Sequence, residues 1–312
     1  MVYLILAITL VGIVLGADWL VSGAVSIAKR LRVSEFVIGA VIVGVGTSMP
    51  ELVVSLIGAV NGNSDVAIGN VIGSNIFNIL GILGITALVC PIPIDRKNIR
   101  FEIPVCILVS VLLLLLAMNF FNGSSPTLGR IDGIILLCFF GVFMWYSIYR
   151  DRKELTQGQS ADPEKDTHLG FAILKVITGL AILITSCDIF VDKAVGIART
   201  FGLSDAFISI TLIACGTSLP ELAASAAAAF KKNTQLALGN IIGSNIFNIT
   251  LILGLCSQVS PLTSDGITTT DYSMAIAAAV AVLLFGFRKK IGRIGGLVMI
   301  LSFIAYTIYL LQ

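Results

Sequence analysis

The chain of 312 residues is 57% hydrophobic and only 12% charged, and its mean hydropathy is +1.01. A soluble protein does not need so much apolar surface, so the composition excludes soluble enzymes and predicts an all-α membrane protein. The net charge of +2 excludes little by itself. We therefore expect the lipid bilayer, and not nucleic acid, as the partner of this chain.

Ten apolar runs are each long enough to cross a bilayer as a helix. The first run has no basic segment before it and no short apolar core ending at a cleavage site, so we interpret it as a helix and not as a signal peptide. The predicted spans are residues 2–27, 34–60, 65–89, 99–119, 128–149, 169–198, 203–229, 235–258, 268–287 and 291–311.

The basic residues are strongly biased toward one face of the membrane. Sixteen of them lie in or beside the loops that follow odd-numbered spans, whereas the opposite face has only Arg130 and Arg199. By the positive-inside rule, this predicts a multi-pass protein of the plasma (inner) membrane with both termini outside. The sixteen are Lys29, Arg30, Arg32, Arg96, Lys97, Arg100, Arg150, Arg152, Lys153, Lys165, Lys231, Lys232, Arg288, Lys289, Lys290 and Arg293.

The second span contains the phrase Gly-Thr-Ser-Met-Pro-Glu at 46–51, and the seventh contains Gly-Thr-Ser-Leu-Pro-Glu at 216–221. Each phrase places a carboxylate, Glu51 or Glu221, where water is not expected. An ionisable side chain inside a membrane segment is a functional-site hypothesis by default. The proline in each phrase lacks a backbone N–H and crowds the preceding turn, so both spans should be interrupted there.

A second phrase follows each of these at the same distance. It reads Gly-Asn-Val-Ile-Gly-Ser-Asn-Ile-Phe-Asn at 69–78 and Gly-Asn-Ile-Ile-Gly-Ser-Asn-Ile-Phe-Asn at 239–248. The serine and the last asparagine of each phrase are four residues apart, which places them on one helix face. Packing alone would preserve small and apolar residues, and it gives no reason for a glutamate in both copies of the first phrase.

The repeat predicts two halves of five spans each, residues 1–150 and 169–312, joined by a cytoplasmic linker at 151–168. An odd number of spans turns the second copy upside down relative to the first. The expected fold is therefore ten transmembrane helices in two inverted five-helix repeats. Such repeats place the substrate site near the bilayer midplane, between the halves.

The polar atoms of the repeated phrases are all oxygen ligands for a cation. Interrupted helices should also free backbone carbonyls near 44–47 and 214–217. Oxygen-rich sites suit Ca²⁺ and Na⁺, and the phrases contain no histidine or cysteine. Two glutamates carry a charge that one Ca²⁺ or two Na⁺ neutralise. The candidate metal ligands are Glu51, Glu221, Thr47, Ser48, Ser74, Asn78, Thr217, Ser218, Ser244 and Asn248.

At these residues the chain resembles the cation/calcium antiporter superfamily, and in particular the prokaryotic sodium/calcium exchangers. The resemblance covers essentially all ten spans, and a double motif at equal spacing is very specific. It implies that Glu51 and Glu221, helped by the other candidate ligands, bind Ca²⁺ or Na⁺. It also implies alternating access through sliding of the first and sixth helices, with Ca²⁺ and Na⁺ as transported ions and no cofactor.

Several alternatives remain open from the sequence. Some relatives, including potassium-dependent exchangers, have aspartate where this chain has Asn248, so the amide here argues against K⁺ cotransport without excluding it. A calcium/proton exchanger and a channel are the nearest other functions. An intramembrane enzyme using Glu51 and Glu221 as acid and base is disfavoured, because no nucleophile–base pair or metal motif accompanies them. A purely structural membrane protein is disfavoured more strongly still.

Overall fold

The computed structural model describes residues 2–31, 33–118, 127–157, 168–200, 214–263 and 266–310. The helices are α1 (Val2–Leu31), α2 (Glu35–Thr47), α3 (Met49–Val60), α4 (Ser64–Val89), α5 (Asn98–Ala117), α6 (Arg130–Gln157), α7 (Leu169–Thr200), α8 (Ala214–Gly216), α9 (Leu219–Phe230), α10 (Thr234–Val259), α11 (Thr269–Phe287) and α12 (Arg293–Leu310). The strands are β1 (Ile92–Pro93), β2 (Thr127–Leu128), β3 (Leu262–Thr263) and β4 (Lys290–Ile291).

The described helices confirm a multi-pass helical membrane protein. Eight of them are long and apolar enough to cross a bilayer, and the bent pair α2 and α3 makes a ninth if it counts as one span. Their bounds agree closely with nine of the predicted spans. The remaining predicted span, 203–229, begins outside the described residues, and α9 is its apolar second part. Helix α6 continues to Gln157, seven residues into the predicted linker.

The second predicted span is interrupted beside Pro50, as the sequence predicted. Helices α2 and α3 meet at an angle of 48° across Ser48, and Pro50 lies in the first turn of α3, where no backbone N–H is needed. The second copy has the same local structure, since Pro220 lies in the first turn of α9. Each break leaves a short helix whose first turn carries a glutamate.

Four stretches of π-helix lie within the long helices that the structure describes, and the sequence did not predict them. They are Gly39–Val43 in α2, Phe77–Leu83 in α4, Asn98–Glu102 at the start of α5 and Asn248–Ile252 in α10. A π-turn inserts one extra residue and so turns the following side chains to a new direction, which is why such turns occur often at functional sites. The predicted ligands Asn78 and Asn248 both lie within these stretches.

Two short strand pairs correct the expectation of a purely α structure. Strand β1 pairs antiparallel with β4, and β2 pairs antiparallel with β3. β1 follows α4 and β4 precedes α12, whereas β2 precedes α6 and β3 follows α10. Each pair therefore connects the first part of the chain to the second, and satisfies backbone groups at the helix ends.

Helices α1 and α7 pack against each other through glycine. A Cβ atom at Gly16 would lie 2.7 Å from the backbone nitrogen of Leu183 and 2.9 Å from the carbonyl oxygen of Gly179. A Cβ atom at Gly179 would in turn lie 2.6 Å from the backbone nitrogen of Leu20. Small residues allow this close approach of two membrane helices. Buried apolar residues of α1 and α7 also form one hydrophobic cluster with residues of α2, α9 and α10.

We expect Gly16→Ala to destabilise this crossing by about 1–3 kcal/mol, because the added methyl group meets backbone that cannot move away without shifting a helix. The measurement is the thermal unfolding midpoint of the purified protein in detergent. Gly141→Ala is the matched control, since Gly141 is an exposed helical glycine of α6 and no described residue comes within 4 Å of its added Cβ. Equal midpoints for the two variants would contradict the close α1–α7 contact.

Candidate ion-binding site

The two glutamates are fully buried, and each is bound by a serine from the other copy of the motif. Glu51 in α3 and Glu221 in α9 both have 0% exposure. Ser218 Oγ donates a hydrogen bond of 2.8 Å to Glu51 Oε1. Ser48 Oγ donates one of 2.8 Å to Glu221 Oε1. The structure therefore brings the two helix breaks together at one place and interleaves their side chains.

Several of the predicted ligand atoms are buried and have no hydrogen-bond partner in the described part of the chain. A buried polar oxygen of this kind costs free energy unless something binds it. Carboxylate, amide and hydroxyl oxygens are the ligands that hard cations such as Ca²⁺ prefer, so these atoms fit a cation well. They are Glu51 Oε2, Glu221 Oε2, Ser74 Oγ, Asn78 Oδ1, Thr217 Oγ1 and Asn248 Oδ1.

The other two predicted ligands hold the first helix break in place. Thr47 Oγ1 donates to the carbonyl oxygen of Val43 at 3.0 Å. Ser244 Oγ donates to the carbonyl oxygen of Gly44 at 3.3 Å. The expectation of freed carbonyls at 44–47 is thus corrected at Gly44, whose oxygen accepts from the backbone N–H of Ser48 at 3.1 Å as well as from Ser244 Oγ. Both hydroxyl oxygens keep their own lone pairs for a further partner.

One pair of asparagines supporting the site was absent from the predicted set. Asn70 Nδ2 donates to the backbone oxygen of Glu51 at 3.1 Å and to Ser55 Oγ at 3.0 Å. Its counterpart Asn240 Nδ2 donates to the backbone oxygen of Glu221 at 3.4 Å, and to a serine hydroxyl of α9 at 2.9 Å. Each amide fastens the helix that bears a glutamate to the next helix of the same half. Their presence in both copies of the second phrase was the signal that could have identified them.

A second missed pair connects the two halves. Asn75 Nδ2 donates to the backbone oxygen of Asn245 at 3.1 Å, and Asn245 Nδ2 donates to the backbone oxygen of Asn75 at 3.1 Å. Asn78 Nδ2 donates to Asn245 Oδ1 at 3.0 Å, and Asn248 Nδ2 donates to Asn75 Oδ1 at 3.1 Å. All four side chains are buried, with at most 2% exposure. They form one closed hydrogen-bonded group, which we call the asparagine quartet.

The fold and this cluster together define a class: a multi-pass helical membrane protein with buried oxygen atoms, suited to a hard cation, at two facing helix breaks. Comparison with known proteins identifies the family. The model of the sodium/calcium exchanger protein family matches residues 1–149 and 171–312, so the chain belongs to that family. The expected resemblance is confirmed, and the family is one of exchangers.

Two relatives and one solved structure match over nearly the whole chain. The chain is 41% identical to CaxA of Alkalimonas amylolytica, a candidate antiporter by its name, with 97% of each chain covered. It is 30% identical to the sodium/calcium exchanger MaX1 of Methanosarcina acetivorans, over 99% of this chain and 98% of the relative. A solved structure of the sodium-calcium exchanger NCX_Mj superposes with a TM-score of 0.85 at 31% identity, covering 99% of this chain and 100% of the other.

Proposed function

We propose that this protein is an antiporter that exchanges Na⁺ for Ca²⁺ across the plasma membrane, by alternating access at a site near the bilayer midplane. The observation that carries the proposal is the reciprocal pair of serine–glutamate hydrogen bonds. Each bond occupies one oxygen of a buried carboxylate and leaves the second, Glu51 Oε2 or Glu221 Oε2, without a partner among the described residues. The two carboxylates come from opposite halves of the chain and lie where the two helix breaks meet.

The ion ligands in this proposal supply charge, hydroxyl oxygen and amide oxygen. Ca²⁺ takes six to eight oxygen ligands in an adaptable geometry, so an all-oxygen set of this size can surround it without water. The amide oxygens of Asn78 and Asn248 come from π-turns on opposite halves. The proposed set is Glu51, Glu221, Thr47, Ser48, Ser74, Asn78, Thr217, Ser218, Ser244 and Asn248.

Exchange follows from competition for these ligands. One Ca²⁺ balances the charge of two ionised glutamates, and two Na⁺ balance it equally. An unbalanced charge in a medium of low dielectric is costly, so the site readily changes the side of the membrane to which it is open only when one Ca²⁺ or two Na⁺ are bound. Because Ca²⁺ and Na⁺ need the same carboxylates, they cannot be carried together. Inward movement of one ion is therefore coupled to outward movement of the other.

We further propose ten spans in two inverted repeats, at 1–150 and 169–312, with 151–168 as the connecting linker. The strand pairs support inversion. Helix α4 ends at the β1–β4 pair and α10 ends at the β2–β3 pair, while the apolar helix α5 leads from β1 toward β2 across the membrane. Equivalent helices that end on opposite faces run in opposite directions, as inverted repeats require.

The moving part in this proposal is the pair α1 and α7. These helices are the long first helices of the two halves, and they contact each other through glycine backbone at Gly16 and Gly179. Their buried apolar residues pack in one cluster with residues of α2, α9 and α10, the helices beside the two breaks. A helix pair that is tightly packed within itself can slide as one body across this apolar surface past the helix breaks, and so expose the site to either side in turn.

We expect residues 151–167 to face the cytoplasm and both termini to face outside, because sixteen basic residues lie on one side and two on the other. Single cysteines introduced in the linker and near each terminus of a cysteine-free variant should react with a membrane-impermeant maleimide accordingly. Termini found inside would reverse the orientation. Termini found on opposite faces would contradict the ten-span architecture.

The function itself is tested with purified protein in proteoliposomes loaded with Na⁺. Dilution into Na⁺-free medium should drive uptake of radiolabelled Ca²⁺, and replacing internal Na⁺ by choline should stop it. Ca²⁺ uptake driven by a proton gradient alone would indicate calcium/proton exchange, and an absolute need for K⁺ would indicate a potassium-dependent exchanger. Ca²⁺ flux without any counter-ion would indicate a channel.

A further inference from the structure

We propose that Asn75 and Asn245 are positioning residues that hold the amide groups of Asn248 and Asn78, so that each presents its oxygen to the ion. Neither Asn75 nor Asn245 is among the proposed ligands, and each acts on the opposite half of the protein. The inference rests on the proposed function in one respect, namely that Asn78 and Asn248 bind the transported cation.

The orientation of each amide follows from a chain of hydrogen bonds that starts at a backbone carbonyl. A carbonyl oxygen can only accept, so the Asn75 group that lies 3.1 Å from the backbone oxygen of Asn245 must be the NH₂ group. Asn75 Oδ1 is then the atom that faces Asn248, which must donate through its own Nδ2 at 3.1 Å. The remaining atom of that amide, Asn248 Oδ1, is buried and has no partner among the residues that the structure describes.

The same sequence of bonds fixes the other amide. Asn245 Nδ2 donates to the backbone oxygen of Asn75, so Asn245 Oδ1 accepts from Asn78 Nδ2 at 3.0 Å. Asn78 Oδ1 is again the buried atom for which the described part of the chain offers no partner. An amide that turned over would present two N–H donors to the site, and these repel a cation instead of binding it. The quartet therefore selects the ligand atom on both halves.

Burial makes this selection strict. All four side chains have at most 2% exposure, so water does not compete for their donors and acceptors. Removing Asn75 would leave Asn248 Nδ2 as a buried donor without its acceptor, and the amide would lose the contact that holds its orientation. Partners behind the ligands of a metal ion commonly affect its affinity by about 10- to 100-fold, and we expect Asn75→Ala to weaken Ca²⁺ binding by that factor.

A double-mutant cycle distinguishes positioning from a general structural role. Asn75→Ala is combined with Asn248→Ala, its bonded partner, and separately with Asn78→Ala, which lies on the same helix and is not bonded to it. We expect Asn75→Ala to weaken Ca²⁺ binding about 10- to 100-fold alone and in the Asn78→Ala background. In the Asn248→Ala background it should add less than about 2-fold, because the group on which it acts is gone.

The readout is Ca²⁺ binding to purified protein, by titration calorimetry and by the Ca²⁺-dependent rise of the unfolding midpoint, which extends to millimolar affinities. Asn245→Ala tests the same claim through Asn78 if Asn75→Ala does not fold. Equal effects of Asn75→Ala in all three backgrounds, or no effect alone, would overturn the proposal. Because binding is measured without transport, a protein that shows this coupling yet fails to exchange ions would contradict only the proposed function.

Discussion

Replacing either Glu51 or Glu221 by glutamine is expected to abolish exchange, with Ca²⁺ transport falling at least about 100-fold in each variant. One lost carboxylate leaves a single negative charge for a doubly charged ion in a buried region. Removing one partner from a buried charge pair costs about 3–5 kcal/mol, which corresponds to about two to three and a half powers of ten in affinity.

The shape of the site should survive this change. Glutamine keeps a carbonyl oxygen that can accept the hydrogen bond from Ser218 or Ser48, which is 2.8 Å long in both halves. The purified variants should therefore insert and unfold at or above the midpoint of the unmodified protein in ion-free buffer, since a repulsion between two carboxylates is removed. Asp192→Asn is a control, because Asp192 is 71% exposed and pairs with its neighbour Lys193. Near-normal Ca²⁺ flux in either glutamine variant would exclude the proposed site.

Asn248→Asp is expected to change ion preference without destroying the site. Asparagine and aspartate are nearly isosteric, so the oxygen that faces the ion should remain while the site gains a third negative charge. That charge should strengthen cation binding or admit a further monovalent ion such as K⁺. The structure adds a cost, because an ionised carboxylate cannot donate to Asn75 Oδ1 as the amide does at 3.1 Å.

The measurement is exchange against pH and K⁺ concentration in reconstituted vesicles, for the unmodified protein and the variant. Asn78→Asp is the matched variant in the other half, where the amide donates to Asn245 Oδ1. The symmetric site predicts that both variants differ from the unmodified protein in the same direction. Superimposable profiles for Asn248→Asp and the unmodified protein would show that this residue does not face the ions.

Features encoded locally were predictable from the sequence. The long apolar runs predicted the bounds of most described spans to within a few residues. The prolines at 50 and 220 predicted the positions of the helix breaks, because proline lacks a backbone N–H donor wherever it lies. The buried carboxylates were recognisable since a glutamate within an apolar span is rare and costly without a function. Duplication at a constant offset then grouped the polar residues of both halves into one candidate site.

Features that depend on the other half of the chain were not predictable. The π-turn at Phe77–Leu83 and the pairing of β1 with β4 are stabilised by tertiary contacts, and no local sequence pattern predicts them. Asn75 was missed because helical spacing places Ser74 and Asn78 on one face and turns Asn75 about 100° away from Ser74. Its partner Asn245 is 170 residues distant, so its role became visible only when the halves were seen together.

Competition between Na⁺ and Ca²⁺ for the purified protein tests the central claim most directly. Ca²⁺ binding is titrated by calorimetry at increasing Na⁺ concentration, with choline keeping the ionic strength constant. If both ions use Glu51 and Glu221, the apparent Kd for Ca²⁺ should rise without limit. At Na⁺ concentrations well above the one that half-saturates the site, it should rise at least as the square of the Na⁺ concentration, because at least two Na⁺ replace one Ca²⁺. An apparent Kd that reaches a plateau would mean that both ions bind at once, which contradicts a single shared site.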